Sequence, residues 1–453
     1  MAQASVELNE LGAGTPNGVA QQQYVQENSE VQIPGPGFSL PPVDGGKKAW
    51  LFLAACWVVE AMVFGFGFSF GIFQEYYSNH KPFAGTGNVA IIGTTTMGTL
   101  YVGTPFVLAL CRLYTRSARW FTLVGLLIAS LSMALSSLCS SVPQLVATQG
   151  IIFGIGGCFA YCPCVMYIDE WFAQRKGMAY GIVWSASGFG GVILPLLLQT
   201  LLNHLGFKTA TRVWAIVLFA VSAPLSFFIR PRLPYSGNTR TRLLNMRYFT
   251  SRLFILHSVA NIIQAAGYFL PGIYLPTYAR TAFGASNSLS TLTIILLNMA
   301  GTFGCIIMGT LTDKIQVTTC VIISATGAAS SVLLFWGLSA SLPVLYLFCV
   351  FYGMFAGCWT TVWPGIMKEI SRRGESEGYG YVDPIMVFGL LCMERGVGNI
   401  ISGPLSDVLL KGMPWLGQAV AGYGSGYGVM IVFTGLTGLA SGLTFLWKQL
   451  HLL

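Results

Sequence analysis

Three features of the chain predict an all-α membrane protein whose twelve transmembrane helices form two pseudo-symmetric six-helix bundles. Only 9% of its 453 residues are charged and 54% are hydrophobic, against about one quarter charged in an ordinary soluble domain. Apolar runs of about 20 residues recur along it, each long enough to cross a hydrocarbon core ~30 Å thick as a helix that satisfies its own backbone hydrogen bonds. Basic residues alternate from one side of those runs to the other.

Residues 1–46 are polar, rich in Gln, Asn, Gly and Pro, and carry Glu7, Glu10, Glu27, Glu30 and Asp44 without a Lys or Arg. Such a segment buries too little apolar area to fold and is expected to be a disordered cytoplasmic tail. It has neither the basic start nor the apolar core of a cleavable signal peptide, so the first span is expected to be an uncleaved anchor. Spans follow at 49–74, 88–110, 119–139, 143–167, 178–202 and 211–229, an N-terminal bundle over 47–229. A linker over 230–252 carries six arginines and no acid, a composition held on the cytoplasmic side by anionic lipid. The C-terminal bundle, 253–453, has spans at 253–278, 289–311, 318–339, 343–367, 385–409 and 426–447.

Eighteen of the 24 Lys and Arg fall on one side of these spans. Five (Lys81, Lys208, Arg212, Arg280, Lys411) fall on the other, and Arg395 alone lies within a span. The positive-inside rule then places both termini in the cytoplasm. An integral, multi-pass plasma-membrane protein acting as a monomer among lipid is expected. Nucleic acid is not an expected partner: the net charge of +8 comes from loops between apolar spans, not from the basic face of a folded domain.

The eleven cysteines lie mostly in apolar segments, where the thiol packs as a small hydrophobe. The YCPC run, with Cys162 and Cys164, has no His or second Cys pair at ligand spacing, so no metal is expected. GFGFSFG, Gly65 to Gly71, sits inside a span with no strand before it and reads as helix packing, and no GxxxxGK[ST] loop exists to power an ATP-driven pump. No Ser/His or His/Asp constellation lies at a membrane face. Neither an enzyme nor a cofactor is expected.

The halves echo one another. GIGGCFAYCP in span 4 and GMFAGCWTTVWP in span 10 both place a Gly-Cys pair (Gly157-Cys158, Gly357-Cys358) five or six residues before Pro163 or Pro364. SASGFGGVILP in span 5 pairs with RGVGNIISGP in span 11. Echoes at equivalent places favour a two-bundle transporter over a receptor or membrane enzyme.

Asp44-Gly45-Gly46 followed by Trp50 resembles the opening signature of the monocarboxylate-porter branch of the major facilitator superfamily and its fungal members, with Lys47-Lys48 replacing the aromatic and small residues usual there. Trp171 to Ala179, then Gly181, is similar to the second signature of that branch, between spans 4 and 5. The resemblance extends from about Lys47 to Trp447. It implies the major facilitator fold and alternating access. It also implies a conformational latch in which Asp169 or Glu170 pairs with Arg175, while Gly177, Gly181, Ser185, Ser187, Gly188 and Gly191 let span 5 pack tightly and slide. The loop between spans 8 and 9, Gly309 to Lys314, keeps the family's Gly, its acid Asp313 and its base Lys314. The first-half counterpart has Cys111 for the usual Asp and Tyr114 for the usual Gly, implying a weakened latch there.

Ionisable residues inside a span are functional candidates because lipid makes them costly. Glu60 in span 1 and Glu394 and Arg395 in span 11 qualify, with His257 a weaker fourth. For Arg395, contact with an anionic substrate competes with a structural salt bridge or a carbonyl contact. Asn261, Gln264 and Tyr268 share one face of span 7 at i, i+3 and i+7, and Asn298, Trp184, Trp359 and Trp363 are further candidates to bound a cavity. The run PGIYLP, Pro271 to Pro276, predicts a kink near the outer end of span 7.

If FGIF, Phe70 to Phe73, anchors the alignment, Phe68, Gly301 and Cys305 fall where the animal lactate carriers have a lysine, an aspartate and an arginine. Their absence argues against simple lactate carriage and leaves protons an open coupling partner. An aromatic, largely uncharged cavity suits a larger amphipathic molecule. The expected function is secondary active or facilitative transport of a small organic solute, an organic acid or amphipathic metabolite. Metabolite efflux, uptake of a carboxylate or vitamin-like nutrient, and a non-transporting nutrient sensor on the same fold are the alternatives the sequence leaves open.

Overall fold

The computed structural model describes residues 41–84, 89–233 and 247–443. Most of the acidic tail, Arg240 and Arg242 of the basic linker, and the end of the last span with Lys448 lie outside the described residues. All of the long helices belong to the compact unit that begins at Pro42. Ten of them are long and apolar enough to cross a membrane. They are Lys47–Asn79 (α1), Ala90–Leu113 (α2), Thr115–Ser136 (α3), Val142–Trp171 (α4), Lys176–Ser226, Arg252–Phe283 (α7), Asn287–Thr312 (α8), Val317–Trp336 (α9), Leu342–Ser376 (α10) and Pro384–Leu410 (α11).

Lys176–Ser226, at 51 residues, is two spans. The chain leaves helical geometry at Gly206 (φ 70°, ψ 169°), a conformation that only glycine adopts without strain. It divides into α5 (176–205) and α6 (207–226). The composition suggests a loop over 203–210, but NHLGFKTA contains only one residue hostile to helix, and the reversal takes place there. A shorter apolar helix, Gly428–Ser441 (α12), completes the set, so each of the twelve expected spans has a helix at its place.

Local chemistry sets several boundaries. Ser251 and Ser286 cap α7 and α8, accepting the N–H of Phe254 and Leu289, and Gly284 ends α7 in the left-handed conformation (φ 62°), as is usual for a C-terminal glycine. Helix α7 runs from Arg252 to Phe283 through Pro271 and Pro276. In α10 the chain tightens to a 3-10 turn over Trp359–Val362, and a new helical stretch starts at Trp363, because Pro364 has no N–H to offer the preceding turn.

Two seams join the halves, and both are lined with small residues. A Cβ at Gly181 on α5 would stand 2.5 Å from the Cys305 carbonyl oxygen on α8, and one at Gly188 would stand 2.8 Å from that of Asn298. Across the other seam, a Cβ at Gly389 of α11 would stand 2.9 Å from Cα of Pro105 on α2, and one at Gly396 would stand 2.7 Å from Cβ of Tyr101. In lipid, helices associate through such close backbone approach. Helices α5 and α11, which carry the SASGFGG and RGVGNIISG echoes, occupy equivalent places in the two seams.

Overpacking a tight helix contact costs about 1–3 kcal/mol. Gly181→Leu is therefore expected to lower the thermal stability of the purified protein by that order, whereas Gly272→Leu, whose Cβ would meet nothing within 4 Å, leaves it nearly unchanged. Equal shifts in the two unfolding curves would contradict the seam.

Candidate functional site

One end of the bundle gathers the charges. Here Asp313, which follows α8, lies across the seam against the start of α5: its Oδ1 accepts the N–H of Gly177 at 2.7 Å and its Oδ2 that of Met178 at 2.9 Å. An acid from one half thus caps a helix of the other and sits at the positive end of its dipole. Lys314 beside it is exposed.

At the symmetry-related place the first half supplies a base. Arg112 at the end of α2 makes a two-pronged ion pair with Asp383, Nε to Oδ2 at 2.8 Å and Nη2 to Oδ1 at 2.8 Å, and Asp383 also caps α11 by accepting the N–H of Ile385. Cys111, which takes the usual acid's place, is buried. The first half therefore makes an ion pair at this place, with the base on α2 and the acid at the start of α11, and Arg112 and Asp383 are residues sequence reasoning missed. The signal lay one position away, in the base next to Cys111 and in an acid just before the Pro that starts a span.

The turn between α4 and α5 is arranged differently from the implied pairing. Asp169 meets Lys176 (Nζ to Oδ2, 3.3 Å), and Glu170 accepts the N–H groups of Arg232 and Leu233 at 2.8 and 3.1 Å. Arg175 makes no ion pair among the described residues and gives its backbone N–H to Asp44 at 3.0 Å. The short turn after Trp171 puts Lys176, the first residue of α5, opposite Asp169. Asp44 also accepts the N–H groups of Ala173 and Gln174, so the two signature stretches are in contact. Partial burial pushes the Asp44 carboxyl up, but the three N–H groups and the Arg175 charge outweigh it and hold it below the ordinary value. Its contribution is present above the unfolded carboxylate value of about 4 and lost as pH falls through the lower folded one.

Deeper, a cavity of about 40 Å³ lies between the halves. Five of the sequence candidates line it: Glu60 of α1, Trp184 of α5, Tyr268 of α7, Trp363 of α10 and Arg395 of α11. Arg395, 2% exposed, lies over the Tyr268 ring (4.4 Å from its centroid) and donates from Nη1 to Gln264 Oε1 at 3.0 Å. Glu60 is 3% exposed. Among the described residues neither Glu60 nor Arg395 has an ion-pair partner.

The remaining candidates stand behind this wall. Glu394 accepts hydrogen bonds from Ser258 Oγ (2.6 Å) and Asn261 Nδ2 (3.2 Å). Asn261 also donates to the Leu391 carbonyl and accepts from Trp359 Nε1, tying α7, α10 and α11 together. Asn298 donates to the Gly191 carbonyl across the α5–α8 seam, and His257 is not among the residues that line the cavity.

Aromatic residues make up much of the rest, including Tyr101, Tyr161 and Phe388. Trp184 donates to the Tyr161 hydroxyl at 2.7 Å, stacks on Phe388 (6.0 Å, 7° between planes) and meets Trp363 edge-on. On α11, Asp383, Phe388 and Arg395 succeed one another, with Arg395 about 10 Å deeper than Phe388. The aromatic cluster thus separates the cavity from the charged end.

The ion pair is partly buried, with Arg112 25% and Asp383 2% exposed, so its loss is expected to cost about 1–3 kcal/mol. Arg112→Gln and Asp383→Asn should each lower the unfolding midpoint, and the double variant should be little worse than either alone. Additive losses in that cycle would show that the two side chains are not coupled.

The sequence model described as Major Facilitator Superfamily matches residues 52–392. The MFS-type transporter pytF of Aspergillus terreus is 32% identical over 277 residues, 60% of this chain and 92% of that protein. The aspyridones efflux protein apdF of Emericella nidulans is 26% identical over 393 residues, 85% of this chain and 77% of its own. In fold, the chain is similar to the proton:xylose symporter XylE, with a TM-score of 0.63 at 17% identity over 88% of this chain and 95% of the other. The chain belongs to the Major Facilitator Superfamily and is an integral, multi-pass membrane protein of that transporter family.

Proposed function

We propose that the protein moves a small organic solute, an organic acid or amphipathic metabolite, across the plasma membrane by alternating access, with a bundle over 47–229 and a bundle over 253–453 rocking about the central cavity. The observation that carries this reading is Arg395, almost fully buried at a cavity between the halves with no carboxylate partner among the described residues. An arginine kept only for structure would be paired, because an uncompensated charge in a low-dielectric interior is strongly destabilising. A charge held open at membrane depth is suited to an anionic group that comes and goes.

The charge asymmetry of the loops supports placing the charged end, and both termini, on the cytoplasmic side. With that end closed by Asp313 on α5 and by Arg112 on Asp383, the conformation is one in which cytoplasmic access is shut. Opening requires both contacts to break and the Trp184–Phe388 stack to part. Asp169, Glu170, Arg175 and Lys314 then shape the moving loops. The name of apdF, an efflux protein, supports metabolite export as the physiological direction, which the solute gradient sets.

Flux into proteoliposomes tests the proposal. Arg395→Ala is expected to reduce solute flux at least about tenfold while leaving surface expression and unfolding behaviour close to the parent. Unchanged transport kinetics would remove Arg395 from the site, and a parent protein that binds solute but never moves it would leave a sensor. In the same vesicles a pH gradient drives accumulation if Glu60 carries a proton with the solute, and only equilibration follows if it does not.

A further inference from the structure

We infer that the solute class this cavity selects is a flat, conjugated organic anion bearing a hydroxyl or N–H donor at the end remote from its acid; the inference rests on the transport reading and names its substrate. Among the described residues, Arg395 Nε and Glu60 Oε2 are buried atoms with no hydrogen-bond partner. They belong to side chains 2% and 3% exposed, and both line the same cavity. A buried donor or acceptor left unmade costs the full desolvation of its group. A ligand supplying both partners removes both costs, and one supplying a single partner leaves the other standing.

The surroundings of each atom define what it accepts. The Arg395 guanidinium has one face on Tyr268, its Nη1 committed to Gln264, and Phe269 at 5.3 Å. Its Nε edge is left for an oxygen acceptor, and the positive charge selects an anionic one. In its ionised form the Glu60 carboxylate only accepts, and in that form it calls for a donor.

The walls supply the third requirement. Trp184 and Phe388 lie within 7° of parallel, with centroids 6.0 Å apart, and they come from α5 and α11, one in each half. Rings in contact stand about 3.5 Å apart, so a third ring between them needs a spacing near 7 Å. Separation of the halves widens this slot. The cavity of about 40 Å³ has room for a few waters, each needing about 10–15 Å³ of such space, and not for a ring system. The solute therefore enters only as the two rings part, and the movement that admits it is the movement that carries it.

The test uses the full chain in lipid nanodiscs and four probes: 6-hydroxy-2-naphthoate, 2-naphthoate, 6-hydroxy-2-naphthamide and the non-planar 4-hydroxycyclohexanecarboxylate. Equilibrium dialysis is expected to show the first bound most tightly, with loss of the hydroxyl, the charge or the planarity each weakening it about tenfold or more. Glu60→Leu should abolish the preference for the hydroxyl and keep that for the acid, and Arg395→Gln should do the reverse. Equal affinity for all four probes, preferences that survive in the variants, or no binding of any probe overturns the inference. The probe series needs only the parent protein, so it decides even if a variant misfolds. Spin labels on the α2–α3 and α10–α11 loops separate this failure from that of the transport reading. Two inter-loop distances with no probe bound refute the substrate class alone, and a single distance under all conditions refutes alternating access.

Discussion

The absence of water from the bilayer core is the constraint on which the rest of this structure depends. It leaves helices and closed barrels as the only usable elements for the backbone, of which the described residues use helices, and it makes every polar side chain at membrane depth find a partner inside the protein. Most do: Glu394 has Ser258 and Asn261, Asn261 has the Leu391 carbonyl and Trp359, and Asn298 has the Gly191 carbonyl. Against that background Glu60, one edge of Arg395 and the Trp363 indole N–H stand out, because all three residues line the cavity and have unmade bonds.

The same constraint explains how the halves are joined. With no hydrophobic driving force between helices in lipid, α5 meets α8 and α2 meets α11 through close backbone packing at glycine, which forms a contact without a large interlocking core. Specificity is added at the end of the bundle. There three aspartates, Asp44, Asp313 and Asp383, each accept N–H groups at a turn or helix start.

Much of the fold was legible because the length and spacing of apolar runs report the bilayer directly. Gly206 was hidden: a loop was expected across 203–210, yet a single residue with positive φ suffices there, and one glycine among 54 carries no label. The site was legible where charge is rare. Glu60 and Arg395 were identifiable because so few charges lie within spans, and both line the cavity. The aromatic walls were legible only in part: Trp184, Tyr268 and Trp363 were expected and line the cavity, but with 13% of the chain aromatic nothing in the pattern distinguishes Phe388 or Tyr161 from a lipid-facing ring. Asn261 and Gln264 share a face with Tyr268, as their spacing requires, but that face is used to hold Glu394 and Arg395 in place. The exchange of Cys111 for an acid concealed the neighbouring base, whose partner lies 271 residues away.

The two clasps at the charged end differ in kind. Arg112–Asp383 is a meeting of two full charges with the arginine partly in water, whereas Asp313 holds uncharged amides of α5. Dissolved ions weaken attraction between opposite charges more than they weaken a carboxylate's grip on a peptide group. Ionic strength is therefore a one-sided lever on this molecule: raising it weakens the Arg112–Asp383 contact at the α2–α11 seam more than the Asp313 contact at the α5–α8 seam.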